Sequence, residues 1–149
     1  MSTTTNLHAT ALVLGDRGVL ITGPSGSGKT TLALTLIKAF GARGQFARLV
    51  GDDQLFVRAQ SGRLVASSPE TIAGLAEVFG VGPRPLRHLG SAVVDLVAKL
   101  VEAADAPRFS DPLTEMIAGV ALPRLDLPAR NAAAASLAVA AWLKASPFR

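Results

Sequence analysis

Val19-Leu20-Ile21-Thr22-Gly23-Pro24-Ser25-Gly26-Ser27-Gly28-Lys29-Thr30, running on through Thr31 to Phe40, decides the fold. The apolar run from Val19 to Thr22 reads as a strand, Gly23 to Thr30 as a glycine-rich loop, and Ala33, Leu36, Ile37 and Phe40 recur at helical spacing, so strand, loop and amphipathic helix follow in order. Upstream, Ala9 to Leu14 meets the turn residues Gly15-Asp16-Arg17-Gly18, which predicts a β-hairpin whose second strand feeds the loop. Downstream, Gly41 and Gly44 stop the helix, with Lys38 and Arg43 near its negative end, where cations are favoured. Leu49-Val50 then reads as a short buried strand carrying Gly51, Asp52 and Asp53 at its C-terminal tip. The expected class is α/β: a P-loop nucleotide-binding domain with a β-hairpin before the phosphate loop and a C-terminal helix.

The remaining elements are coarser. Leu55 to Ala59 and Leu64 to Ala66 flank Ser61-Gly62-Arg63, another hairpin. Glu70 to Val81 fits either period and is read as strand. Pro83 and Pro85 mark a loop, Ala92 to Val101 a strand, Pro107 to Pro112 a loop, and Ile117 to Leu122 a last strand before Pro123 and Pro128. Asn131 caps a C-terminal helix running to about Ala145. Residues 1–7 read as a flexible N-terminal arm and 8–149 as a single domain.

Composition narrows the function. The chain has 149 residues, 49% hydrophobic, 17% charged and no cysteine, enough for one core without disulfides or cysteine-ligated zinc. Its 15 Lys+Arg exceed 11 Asp+Glu by 4, a scattered excess. Aromatics are 5% with no tyrosine, which leaves a single-strand nucleic-acid binder little to stack on, so no nucleic-acid partner is expected. The first ten residues lack the basic and apolar stretches of a signal peptide, and no segment reaches the length of a membrane span, so a soluble, cytoplasmic protein without a membrane partner is expected.

Gly23-Pro24-Ser25-Gly26-Ser27-Gly28-Lys29-Thr30 fits G-x-x-x-x-G-K-S/T, in which curled backbone N–H groups and a helix N-terminus cradle phosphates. A chance match in a chain this long is on the order of one in a few hundred, so a plain glycine turn is the weaker reading. Lys29 would reach the β and γ phosphates and the Thr30 hydroxyl would bind Mg²⁺. Asp52 and Asp53 are adjacent carboxylates at a strand tip, so one can orient Mg²⁺ or its water while the other faces an acceptor hydroxyl. On their own they would be an exposed turn. Glu77 is either a second magnesium ligand or a solvated strand position. His8 reads as a solvated edge residue, His88 as part of a basic surface loop, and Arg108 and Arg130 as surface arginines able to stabilise phosphoryl charge.

His8, the hairpin into the loop, Gly51-Asp52-Asp53 and Gly74-Leu75-Ala76-Glu77-Val78-Phe79-Gly80 together resemble the catalytic domain of HPr kinase/phosphorylase, from about His8 to Asn131. The short form is similar to that of alphaproteobacteria, without the extra N-terminal domain of longer members. The resemblance implies ATP, with pyrophosphate as the alternative donor, and Mg²⁺ held by Thr30, Asp52 and Glu77. It implies that Lys29 holds phosphate, that Asp53 takes the proton from the target serine and returns it in reverse, and that His8 and Arg108 are catalytic. Pro128-Ala129-Arg130-Asn131 is similar to the P-G-R-N segment associated with dephosphorylation. The partner implied is HPr, the phosphocarrier of the sugar phosphotransferase system, and the assembly a hexamer.

Two departures stand out. The family signature E-I/V-R-G is Glu77-Val78-Phe79-Gly80 here, and Ala129 replaces a glycine. Kinase activity is therefore implied more firmly than phosphorylase activity. A small-molecule kinase and a non-catalytic nucleotide sensor remain open from the residues alone, whereas a guanine-specific switch lacks its N/T-K-x-D segment.

Overall fold

A computed structural model describes residues 3–109 and 111–148. In chain order it contains β1 (Thr5–Leu7), β2 (Thr10–Leu14), β3 (Arg17–Thr22), α1 (Lys29–Ala42), β4 (Ala47–Gly51), β5 (Leu55–Gln60) and β6 (Arg63–Ser67). There follow β7 (Leu75–Val78), β8 (Gly82–Pro85), β9 (Ser91–Val94), β10 (Leu96–Val101), β11 (Leu113–Ile117), β12 (Val120–Pro128) and α2 (Ala132–Trp142).

The central layer is a six-stranded sheet in the order β11-β12-β10-β3-β2-β4, and β1-β5-β6-β9 make a second sheet of four. Alternation along β2 and β3 explains why they stack. Leu12, Leu14, Val19 and Ile21 pack with Leu32, Leu36 and Phe40 of α1 and Val139 of α2. Ala11, Val13 and Leu20, on the opposite face, pack with Leu55, Val57 and Leu64 of the smaller sheet. A strand covered on both faces must be apolar throughout, and every residue of β2 is buried. The one hydroxyl in it, Thr10, is fully buried too. The chain is thus an α/β domain, with helices on one face of the large sheet and a second sheet on the other.

The expected hairpins at β2–β3 and β5–β6 are present, with Thr10 opposite Ile21 and Phe56 opposite Ser67. Asn131 caps α2, its side chain accepting from the Ala134 N–H at 3.1 Å, but the helix ends at Trp142, short of Ala145.

Several expectations require correction. Residues 5–7 are no loose arm: β1 pairs antiparallel with β5, Leu7 lying opposite Leu55; the arm's first two residues lie outside the described residues. The run from Ala92 to Val101 is not one strand. It breaks at Asp95, whose carboxylate accepts from the Gly18 N–H at 2.8 Å and whose own N–H donates to the Gly18 carbonyl at 2.8 Å. That clasp moves the chain from the small sheet (β9) to the large one (β10). Pro83 and Pro85 lie within β8, which pairs with β7 as a separate two-stranded unit. The last strand, expected over Ile117 to Leu122, is instead broken by a hairpin turn: β11 ends at Ile117, Ala118 and Gly119 turn with φ of 49° and 79°, and β12 begins at Val120. Pro123 is tolerated because the parallel pairing of β12 with β10 begins only at Arg124, so its missing N–H leaves no rung of that ladder unmade. No basic residue occupies the last turn of α1; Arg43 follows it as the C-cap, and Gly41 lies inside the helix.

Glycine replacements should separate packing from propensity. A Cβ on Gly18 would lie 1.8 Å from the Val93 carbonyl oxygen, whereas one on Gly41 would meet nothing within 4 Å. Gly18→Ala is expected to cost at least about 2 kcal/mol in urea unfolding, and Gly41→Ala to add about 0.5 kcal/mol.

Candidate functional site

Strands β3, β10 and β12 run parallel, so their C-terminal ends share one edge of the sheet, where α/β folds place ligands. The glycine loop leaves β3 at that edge. Gly28 takes φ 96° as the N-cap of α1, a left-handed turn that glycine makes without steric cost. Lys29 folds back over the loop, its Nζ donating to the carbonyls of Gly23 at 2.9 Å and Pro24 at 3.2 Å. Only 7% of it is exposed. From β12, the Arg130 N–H donates to the Ser27 carbonyl at 2.9 Å and fastens the loop to the end of that strand.

Asp52 is the centre of the polar network. It is 8% exposed, and its Oδ1 accepts from the hydroxyls of Thr30 at 2.7 Å and Thr10 at 2.8 Å. Its Oδ2 accepts from the Glu77 N–H at 3.1 Å. Thr10 Oγ1 accepts in turn from the Asp53 N–H at 3.3 Å. Asp53 has φ 67°, a left-handed conformation costing on the order of 1–2 kcal/mol outside glycine. Its exposed carboxylate therefore stands on a backbone fixed by Thr10.

A cleft of about 560 Å³ lies over the loop, lined by Gly26, Lys29, Thr30, Asp53, Glu77 and Phe79 among others. A second cavity of about 240 Å³ shares Asp52, Asp53 and Glu77 with it and continues to Ile72, Leu75 and Pro83. Asp53 thus borders two spaces, one over a cationic, N–H-rich loop and one with an apolar wall. Such a pair can hold a polyanion on one side of a carboxylate and an acceptor on the other.

Of the residues singled out in the sequence, Ser25, Gly26, Gly28, Lys29, Thr30, Asp52, Asp53 and Glu77 line this cleft. Gly23 and Pro24 contribute carbonyls to Lys29. Ser27 is buried, and its Oγ has no hydrogen-bond partner. His8 is exposed between β1 and β2, and Arg108 is exposed beyond β10; neither lines the cleft. Arg130 reaches the loop through its backbone, its guanidinium pairing with Glu102 at 2.7 Å, while Asn131 caps α2. Thr10 and the Glu77 N–H were not singled out; the only signal was a hydroxyl inside an otherwise apolar run.

Among the described residues no three acidic or histidine side chains form a metal cage. Thr30, Asp52 and Glu77 are hard oxygen donors, and that sparse set fits Mg²⁺, which is held by one or two carboxylates together with substrate phosphates.

The family model for the HPr serine kinase C-terminal domain matches residues 1–144. The chain belongs to that family. It is similar to the HPr kinase/phosphorylase of Geobacillus thermodenitrificans, 33% identical over 161 residues that cover 100% of this chain and 50% of that protein. It is also similar to that of Clostridium botulinum, 44% identical over 78 residues, 52% of this chain and 24% of that protein. The chain thus spans half or less of the length of these curated relatives. The solved Hpr(Ser) kinase/phosphatase from Coxiella burnetii superposes with a TM-score of 0.72 at 31% identity, covering 85% of this chain and 87% of that one.

The two sequence departures have different settings in the structure. Ala129 packs against the helical core and donates its N–H to the Val101 carbonyl at 2.7 Å. Phe79 projects from the β7–β8 turn with 98% of its surface exposed. No helix among the described residues is long and apolar enough to cross a membrane.

The network predicts unequal costs for two hydroxyls. Thr10→Val removes a donor to a buried carboxylate and is expected to lower stability by about 1–3 kcal/mol. Ser27→Ala removes a hydroxyl without a partner and should be neutral or stabilising. Paired urea titrations of the two variants check this.

Proposed function

We propose that the domain transfers the γ-phosphate of ATP to a serine of HPr. The observation that carries this reading is Asp53, an exposed carboxylate bordering both the cleft over the glycine loop and the smaller, apolar-walled cavity. The relatives' names supply the acceptor.

On this reading Gly23 to Thr30 is a phosphate-binding loop. Its N–H groups and the α1 N-terminus hold the polyphosphate, and Lys29 exchanges its two loop carbonyls for β and γ oxygens. Thr30, Asp52 and Glu77 would hold Mg²⁺, which neutralises charge on the phosphates when bound. The Thr30 hydroxyl donates its hydrogen bond to Asp52, so its lone pairs stay free for a cation. Asp53 accepts the proton of the serine hydroxyl as the phosphoryl group arrives. A loose phosphoryl transition state demands an aligned alcohol more than an early deprotonation. Pyrophosphate fits the loop as an alternative donor. In the reverse direction Asp53 would return the proton, with Arg130 and Asn131 beside the loop. His8 and Arg108 lie outside the cleft and are given no step. A cytoplasmic setting and a homo-oligomer resembling the family hexamer accompany this reading.

Incubation with labelled ATP and HPr should yield phosphoserine on HPr. Asp53→Asn should lower turnover at least about 10²-fold while ATP affinity persists, and Lys29→Ala should abolish ATP binding. Absence of phosphoserine with the unmodified protein would overturn the assignment.

A further inference from the structure

Among the described residues Phe79 is the most exposed large apolar side chain at 98%, and Val81 beside it is 57% exposed. Both belong to the turn between β7 and β8 and both line the cleft over the loop. Apolar surface gathered at the mouth of a polar cleft marks a contact site.

Phe79 also walls a second space. A groove of about 490 Å³ runs between the hairpin and the outer side of α1, lined by Thr31, Leu34, Thr35, Lys38, Val78 and Phe79. Its helical residues follow i, i+3, i+4 and i+7 spacing from Thr31, a single stripe along α1. Thr31, Glu77, Val78 and Phe79 border both the groove and the cleft, so the two spaces are continuous.

We propose that this groove is the nucleobase subsite, with the Phe79 ring as its stacking face. The proposal rests on the reading that the cleft holds the polyphosphate. A nucleoside is tethered to its phosphates, so its base must lie in a space that opens from theirs. The smaller cavity leaves the cleft past Asp52 and Asp53, where the acceptor must stand. The groove leaves it past Thr31, the residue after the magnesium-binding hydroxyl of Thr30. Leu34, Val78 and Phe79 offer flat apolar contact. Thr35 donates its proton to the Thr31 carbonyl at 2.7 Å, which leaves its oxygen as an acceptor for an exocyclic amine or a ribose hydroxyl. Glu77 is the one acid bordering the groove, and it stands at the end shared with the cleft. A phenylalanine replacing the signature arginine trades a phosphate-seeking cation for a π-face, and so favours a nucleotide over pyrophosphate as donor.

The test is calorimetric titration of the protein, in the presence of Mg²⁺, with ATP and with inorganic tripolyphosphate, a ligand that keeps the charge but has no base. Phe79→Ala should weaken ATP about tenfold, within the range of base–aromatic stacking, and leave tripolyphosphate within twofold. In Phe79→Trp, ATP should quench the added indole emission and tripolyphosphate should not, with the unmodified protein correcting for Trp142. Equal changes for both ligands, or none for either, would overturn the subsite. So would a raised KM for HPr at unchanged ATP affinity, which would make Phe79 a protein contact. If the unmodified protein binds neither ligand, the polyphosphate reading itself falls, a result distinct from the others.

Discussion

A buried polar side chain costs free energy unless hydrogen-bond partners surround it, and Asp52 meets that demand by drawing on three other elements. Thr10 comes from β2, Thr30 from the first turn of α1, and the Glu77 N–H from β7. Each bond fixes something the cleft needs: the loop-following helix against the sheet, the strand tip that carries Asp53, and the hairpin that walls the opening. Removing the side chain would leave two hydroxyls and an amide without a shared acceptor, so these elements would lose their common reference point. The geometry is set before any ligand arrives, which is what a positioning mechanism requires.

The sheet supplies the other half of this arrangement. Four strands, β3, β4, β10 and β12, run in one direction and end at the same edge, and the glycine loop, Asp52, Glu102 and Arg130 all lie just past those ends. The helices cover one face of the sheet and the smaller sheet the other, so the strands can be apolar on both sides. Polar chemistry gathers at the edge and at Thr10, with a further half-buried cluster on the outer strands, where Arg124 pairs with Glu115 at 2.8 Å and with Asp126 at 2.9 Å. The Gly18–Asp95 clasp makes this layering possible, because one chain segment serves both sheets only if it can turn between them without leaving backbone groups unpaired.

Local patterns exposed much of this in the sequence. The β2–β3 hairpin, the loop and α1 follow from alternation, glycine spacing and helical period, and the Asp52-Asp53 pair from its place at a strand tip. Contacts between distant segments were not legible. Nothing in Ala92 to Val101 signals a change of sheet, because the reason lies in Gly18, 77 positions from Asp95. Pro83, Pro85 and Pro123 read as breakers because sequence cannot tell an edge or unpaired stretch from a central strand. Thr10 was hidden for a related reason: its role depends on Asp52, 42 positions away. Residues 5–7 looked loose because three residues carry no periodicity, and their partner is β5.

The β7–β8 unit shows how the network and the surface are linked. Its base is tied to the body of the domain. The Leu86 N–H closes the hairpin on the Gly74 carbonyl at 2.7 Å, and the Leu89 N–H joins it to β4 through the Leu49 carbonyl at 2.8 Å, while a Cβ on Gly74 would strike the His88 ring at 2.5 Å. Beyond that base, Ala76 is its single buried apolar residue, and two strands alone are marginal in water. Elements with few buried contacts open most readily. The Glu77 N–H to Asp52 therefore holds the tip in register over the cleft, and whatever alters Asp52 also alters the placement of Glu77, Val78 and Phe79.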